Sequence, residues 1–396
     1  MAADVPIPTA MPAPVTIPDA SGCLETLARR GKRVALVATG GGTAAIPGLV
    51  ALPGASRVVV EALVPYARPA VDALLGGAQE SYCSTRAARR LAMAAWERAR
   101  AAAGPEAAVG IACTASLATL DPKRGEHRVF VAVQTLGETS MAALLLAKDA
   151  RSRAEEETIA AALVVDRLAA AAGEGPGTPR TDRLLGDGER VAVERTAAEP
   201  GWAAVLGGSL PRTRLAGPPA DAAPEAIFPG SFDPLHDGHR AMQRIASRIT
   251  GLPVAYELSL SNVDKPALDH AEIARRAAGL AGQRAWLTAA PTFVDKLAIF
   301  PGAVFVMGAD TFVRLWNPRY YGDCAERAAE AVARIGRGAS RLVVFGRVRD
   351  GVFLDPAGLA APEALRAIAT FVPEAEFRDD VSSTALRRAA EPPAEA

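Results

Sequence analysis

Two series of short apolar runs, each alternating with amphipathic stretches, constrain this chain more than any other feature. From Arg33 onward the runs RVALVA (33–38), RVVVEALV (57–64), AAVGIAC (107–113) and RVFVAVQT (128–135) are separated by segments of helical pattern. Strand-length runs set between helical stretches build βα units, so an α/β layer fold is expected. The clearest helix follows Ser84, a good N-cap, and stops at Gly104-Pro105; another runs from Arg151 to about Ala172. A second series begins after position 224: AIF (226–228), PVAYELSL (253–260), AWLTA (285–289), AVFVMG (303–308) and LVVFG (342–346). Between the two, 173–224 is rich in Gly, Pro and small residues and reads as a linker around a short strand-like insert within 189–208. No repeat relates the series. The expected organisation is a Pro/Ala-rich disordered leader over 1–20, an α/β domain over 21–172, the linker, and a second α/β domain over 225–396, which suits a chain of 396 residues, too long for one core.

Composition narrows the partners. The 44 basic and 44 acidic residues cancel, which leaves no overall field to gather nucleic acid or an anionic membrane, so any phosphate site must be local. Cys23, Cys83, Cys113 and Cys324 stand far apart with no CxxC pair, which points to reduced thiols and to neither zinc nor a disulfide framework. No uncharged run of about 18 apolar residues is present, and the leader lacks a basic, then apolar, signal pattern. A cytoplasmic protein is expected.

The sharpest chemistry lies directly after the first strand of the second series, in Phe228-Pro229-Gly230-Ser231-Phe232-Asp233-Pro234-Leu235-His236-Asp237-Gly238-His239. Gly230 and Gly238 let backbone N–H groups approach a ligand, and the helix beginning here offers a phosphate its positive end. His236 and His239, at i and i+3, point the same way as two phosphate donors, and a phosphate-rich site is expected to hold them partly protonated. Ser382-Ser383-Thr384-Ala385-Leu386-Arg387 supplies a second helix-start clamp with a guanidinium one turn on.

The first stretch resembles the (H/T)xGH signature of the nucleotidylyltransferase superfamily, and the second resembles its SSTxxR element. Gly308-Ala309-Asp310 at a strand end looks like the GAD element of the nicotinamide/nicotinate mononucleotide adenylyltransferases, Trp316 like the aromatic that stacks on the pyridine ring, and Lys265 like a phosphate ligand of the nucleotide. The resemblance implies a Rossmann-like parallel sheet. It also implies attack of a mononucleotide 5′-phosphate on the α-phosphorus of ATP, with Mg²⁺ on the triphosphate and His236, His239 and Arg387 neutralising the departing pyrophosphate. Gly230, Ser231, Phe232, Gly238, Lys265, Ser382, Ser383 and Thr384 would then hold ATP, and Gly308, Asp310 and Trp316 the pyridine nucleotide. Plain readings stand beside these: a solvated helix cap for HDGH, an ordinary capped helix for SSTALRR, an N-cap for Asp310, a core aromatic for Trp316 and a loop lysine for Lys265. Other superfamily chemistries, with pantetheine phosphate or CTP, and a nucleotide-binding regulator without turnover are the alternatives.

Residues from about 23 to 172 resemble the CinA C-terminal domain, the nicotinamide-nucleotide amidohydrolase family, through Pro53-Gly54-Ala55-Ser56, Tyr66 ahead of Leu74-Leu75-Gly76, and the Ser84 helix. The reactive positions depart from it. Thr39 stands where that family carries its nucleophilic serine, Val71 where it carries an activating lysine, and Ala115-Ser116-Leu117-Ala118-Thr119 where it carries a glycine-rich loop. A hydroxyl without a base is a poor nucleophile. Thr39 and Tyr66 are therefore expected to mark a degenerate, inactive amidohydrolase site, in a domain suited to homo-oligomerisation or to holding a pyridine nucleotide without cleaving it. The Gly40–Gly42 turn could cradle a phosphate, but no GK[ST] follows it, and a simple tight strand-to-helix turn is expected.

Overall fold

The computed structural model describes residues 14–120, 123–217, 225–261, 266–349 and 352–378. They divide into two compact units, one drawn from Met1–Ala198 with Asp264–Ala271 and the other from Glu199–Val263 with Glu272–Ala396. Both are α/β.

The first unit runs α1 (Ser21–Arg29), β1 (Arg33–Thr39), α2 (Ala45–Val50), β2 (Val59–Leu63), α3 (Arg68–Leu75), α4 (Thr85–Ala103), β3 (Ala108–Ser116), β4 (His127–Gln134), β5 (Glu138–Leu146), α5 (Arg153–Ala171), α6 (Pro179–Asp182) and β6 (Ala192–Ala197). Its sheet has the order β2-β1-β3-β4-β5-β6, parallel from β2 to β3 and antiparallel from β3 to β6. β1 and β3 are almost wholly buried, which is why they read as continuous apolar runs. Alternate residues feed opposite faces. Val34, Leu36, Ala38, Ile111 and Cys113 join a core with α1, α2 and α5, while α4 lies on the other face so closely that a Cβ on Gly110 would meet the backbone of Ala92 and Trp96 at 2.2–2.3 Å. Ser84 caps α4 by accepting from Ala87 N–H, and Ser152 with Glu155 forms a capping box on α5.

The sequence pattern placed a helix between the third and fourth runs and no strand after Gln134. Instead β3 pairs antiparallel with β4, with no helix among the described residues between them, and Thr135 and Glu138 close a two-residue turn into β5. The stretch ETSMAALLL alternates too little to be told from a buried helix by periodicity.

The second unit contains α7 (Pro200–Gly207), β7 (Arg212–Ala216), β8 (Ala226–Pro229), α8 (Asp237–Thr250), β9 (Val254–Ser259), α9 (His270–Gly279, its first two residues grouped with the first unit), β10 (Ala285–Thr288), α10 (Phe293–Ile299), β11 (Val304–Gly308), α11 (Ala309–Arg314), α12 (Ala325–Gly338), β12 (Arg341–Phe345), the hairpin β13 (Arg347–Arg349) and β14 (Val352–Leu354), α13 (Glu363–Arg366) and β15 (Ala369–Val372). The sheet order is β15-β12-β11-β8-β9-β10-β7. All neighbours are parallel except β7, which pairs antiparallel with β10. Numbered along the chain, the parallel strands follow the doubly wound order 3-2-1-4-5-6, which reverses direction between β8 and β11. One face packs Phe228, Tyr256, Val306 and Phe345 under α8, and the other packs Phe305, Met307 and Val344 under α11 and α12.

The 173–224 tract holds more order than linker chemistry suggests. Thr181 and Arg180 of α6 bind the buried Asp166 carboxylate on α5, β6 completes one edge of the first sheet, and β7 completes one edge of the second. Arg212 and Arg214 of β7 lie over the Trp286 ring at 4.6 and 3.9 Å, and Glu225 accepts from Arg214, Arg284 and the Trp286 indole N–H. Among the described residues no helix is long and apolar enough to cross a membrane.

Candidate functional site

In a doubly wound sheet ligands bind outside the carboxyl ends of the strands, where the strand order reverses. Here that place is the end of β8 and β11. The Gly230–His239 loop leaves β8, and Gly308–Asp310 leaves β11, its immediate neighbour.

The loop is tightly specified. Gly230 N–H donates to Glu257 C=O at 3.0 Å, and a Cβ at Gly230 would sit 2.5 Å from the Phe232 ring. Phe232 has φ +46°, a left-handed conformation that bulky side chains avoid. Its buried ring meets Phe228, Tyr256 and His239 edge to face, with centroids 5.3, 4.8 and 5.2 Å away. The buried Asp233 is ion-paired with Arg275, and Arg276 lies 3.7 Å from its second oxygen; Arg276 also donates to Ser231 C=O at 3.0 Å. Ser231 itself is exposed.

His236 is the N-cap of α8, and Gly238 is buried in its first turn. The two imidazoles stack with centroids 3.8 Å apart and an interplanar angle of 33°. His236 N–H donates to His239 Nδ1 at 3.4 Å, which places the proton of a neutral His239 on Nε2. Burial, reinforced by His236, pushes the His239 pKa down to about 4. For His239 this runs against the expected partial protonation: it is a neutral donor near pH 7, because its ring is partly buried against the aromatic cluster.

On the neighbouring strand Gly308 is the N-cap of α11, and Asp310, two-fifths exposed, is ion-paired with Arg347 from β13. Trp316 is partly buried, with its ring edge to face on Phe312 at 5.2 Å. Lys265 and Ser382, Ser383, Thr384 and Arg387 lie outside the described residues. Sequence reasoning did not single out Arg275, Arg276 and Glu272 of the loop clasp. Nor did it single out Lys296, whose ammonium is buried against Glu257 (2.8 Å) and Ala290 C=O (2.7 Å). Lone arginines on an amphipathic helix look like a solvated face, and only the fold turns these two toward the loop.

In the first unit Thr39 ends β1 and is buried, Val71 is buried in α3, and Tyr66 is two-thirds exposed in the loop before α3. The Gly40–Ala44 turn gathers donors as a cradle does, but its anion is internal. Gly42 N–H, Ala44 N–H and the Thr43 hydroxyl all donate to the Glu157 carboxylate at 2.9 Å. Glu156 beside it is buried against His127 Nδ1 (2.6 Å) and accepts from Ala118 N–H (2.6 Å). Lys123, its pKa lowered by burial, donates to Ser116 Oγ and Leu117 C=O, both at 2.7 Å.

Residues 227–389 match the cytidylyltransferase-like family. The C-terminal domain is cytidylyltransferase-like. The match begins inside β8 and takes in both strand ends at the switch point, so the nucleotidyltransferase-like domain and the candidate site coincide. Among solved structures, a competence-damaged protein (CinA) superfamily protein from Escherichia coli is 23% identical over 39% of this chain and 86% of its own, with a TM-score of 0.31. A competence/damage inducible protein from Agrobacterium tumefaciens is 22% identical over 38% and 96%, TM-score 0.32. The competence damage-inducible protein A from Klebsiella pneumoniae is 19% identical over 40% and 97%, TM-score 0.31. No curated protein matches the chain.

Proposed function

We propose that the C-terminal domain transfers the adenylyl group of MgATP to nicotinate or nicotinamide mononucleotide, and that the N-terminal unit is an inactive amidohydrolase relative. The observation that carries this reading is the meeting of the HDGH loop and the Gly308-Ala309-Asp310 turn at the carboxyl ends of the two strands flanking the switch point.

An oxygen of the mononucleotide 5′-phosphate attacks the α-phosphorus; a new P–O bond forms as the bond to the β-phosphate oxygen breaks, and pyrophosphate leaves with the electron pair. No protein nucleophile is needed. The chain's own contribution is placement and charge: the neutral His239 Nε2–H and the His236 imidazole at the start of α8 donate to phosphate oxygens, and Asp310 and Trp316 receive the acceptor's ribose and ring. Arg387 with Ser382–Thr384 is assigned the second phosphate clamp on the resemblance of the motif.

For the first unit the support is chemical. Thr39 has Val71 in place of a lysine, and the glycine turn after it is filled by Glu157. The full-length protein incubated with nicotinamide mononucleotide is expected to release no ammonia above a boiled control; release abolished by Thr39→Ala overturns this part. The transferase reading is tested by pyrophosphate release from ATP or CTP with pyridine mononucleotides and with pantetheine phosphate. CTP is the donor that the matched family's name suggests, and it is the alternative that this panel separates.

A further inference from the structure

We propose that Arg276, on α9, is a positioning residue: it clasps the loop after β8 in the left-handed turn that seats Phe232 against the His239 ring. Only the catalytic consequence rests on the adenylyl-transfer reading; the clasp itself does not.

A phenylalanine with φ +46° persists only where its surroundings over-determine it. Two sets of contacts do so. On the ring side, Phe228, Tyr256 and His239 enclose Phe232 edge to face, and the ring in turn fills the space that a Gly230 side chain would need. On the backbone side, one guanidinium spans the turn: Arg276 Nη1 donates to Ser231 C=O at 3.0 Å, Nη2 lies 3.7 Å from Asp233 Oδ2, and Nε donates to Glu272 Oε1 at 2.8 Å. The two residues it grips flank Phe232 directly. Arg275 binds the other Asp233 oxygen, and Glu272 serves both arginines; although burial opposes its charge, they hold its carboxyl down to about 2. The Arg276 side chain is one-tenth exposed, against one-half for Arg275, so Arg276 is the enclosed member of the clasp.

Three different nitrogens of the guanidinium serve two hydrogen-bond acceptors, Ser231 C=O and Glu272 Oε1, and the Asp233 ion pair at 3.7 Å, and an ammonium, a compact point charge, cannot reproduce that fork. Releasing the turn lets the Phe232 ring leave the His239 face and admits water to an imidazole that burial now keeps neutral. The ionisable group that acts on this imidazole is His236 on the same helix start; Tyr256 from β9, whose hydroxyl burial pushes up to about 12, meets the Phe232 ring that covers it. Neither is altered by substituting Arg276.

The test is the titration of the His239 ring, followed by NMR on full-length protein labelled in histidine and assigned with His239→Gln. Wild type, Arg276→Ala, Arg276→Lys and Arg248→Ala are compared. Arg248 lies on α8 with His239 but is exposed and pairs with Glu376, so it reports on general perturbation of that helix. The His239 midpoint is expected to rise by about one pH unit or more in both Arg276 variants and to stay in Arg248→Ala. If transfer is measurable, kcat should fall 10- to 100-fold with a much smaller change in KM. Arg276→Lys carries the measurement if Arg276→Ala fails to fold. An unmoved midpoint in a folded Arg276 variant overturns the proposal, as does an equal rise in Arg248→Ala. A raised midpoint in a protein that transfers no nucleotide upholds the clasp and removes the adenylyl-transfer reading.

Discussion

At the scale of single residues, His239 is where the proposed phosphate chemistry meets the aromatic packing of Phe228 and Phe232. A preorganised donor aimed at developing charge contributes roughly 10²–10³ in rate, so His239→Ala should lose that much turnover while circular dichroism and melting show an intact fold. The same residue makes stability depend on pH. Its folded pKa, about 4, lies below the unfolded value near 6.5, so between these values the unfolded chain binds more protons. The contribution of neutral His239 is therefore full above about pH 6.5 and is lost as pH falls toward 4. Denaturant melts at pH 7 and 5 should show wild type losing about 1–2 kcal/mol more than His239→Gln, and parallel losses would contradict the assignment. Arg387→Lys keeps the charge but not the bidentate fork, and should raise the ATP KM or cut kcat about tenfold where Arg388→Lys does neither. The loop after β8 was legible as a feature because glycines and histidines at that spacing have few structural uses in common. Arg276, Glu157 and Lys296 were not, since what each does depends on a partner 45, 115 or 39 residues away in the chain.

At the scale of elements, buried strands announced themselves and partly exposed or short ones did not. RVALVA and AVFVMG are central strands whose apolar runs can hardly serve another purpose, whereas β15 (Ala369–Val372) is an edge strand of four residues and β5 opens on polar residues. The pairing of β3 with β4 also escaped the pattern, since a helix was expected between them and the described residues there hold none. The ion pair of Lys296 with Glu257 fastens α10 under β9, the strand whose Glu257 C=O holds Gly230 in place. Removing one partner strands a buried charge, so Lys296→Met should cost roughly 3–5 kcal/mol, and Lys296→Met with Glu257→Leu should recover most of it. Equal stability of the single and double variants would show that the pair does not couple the two elements.

At the scale of the whole molecule, alternation in the sequence suffices for two α/β units, but not for the order of their strands. One sheet became mixed and the other doubly wound with its reversal between β8 and β11, because the crossovers that decide this depend on packing across faces that periodicity does not record. That reversal brings the HDGH loop and the Gly308-Ala309-Asp310 turn to neighbouring strand ends, the edge where the proposed function puts the ligands. The most direct test of the account is pyrophosphate release by the full-length protein, with ATP and CTP each offered nicotinate mononucleotide, nicotinamide mononucleotide or pantetheine phosphate. Release from ATP with a pyridine mononucleotide alone, abolished by His239→Ala, is the predicted result; release with CTP or with pantetheine phosphate instead, or none with any pair, would contradict it.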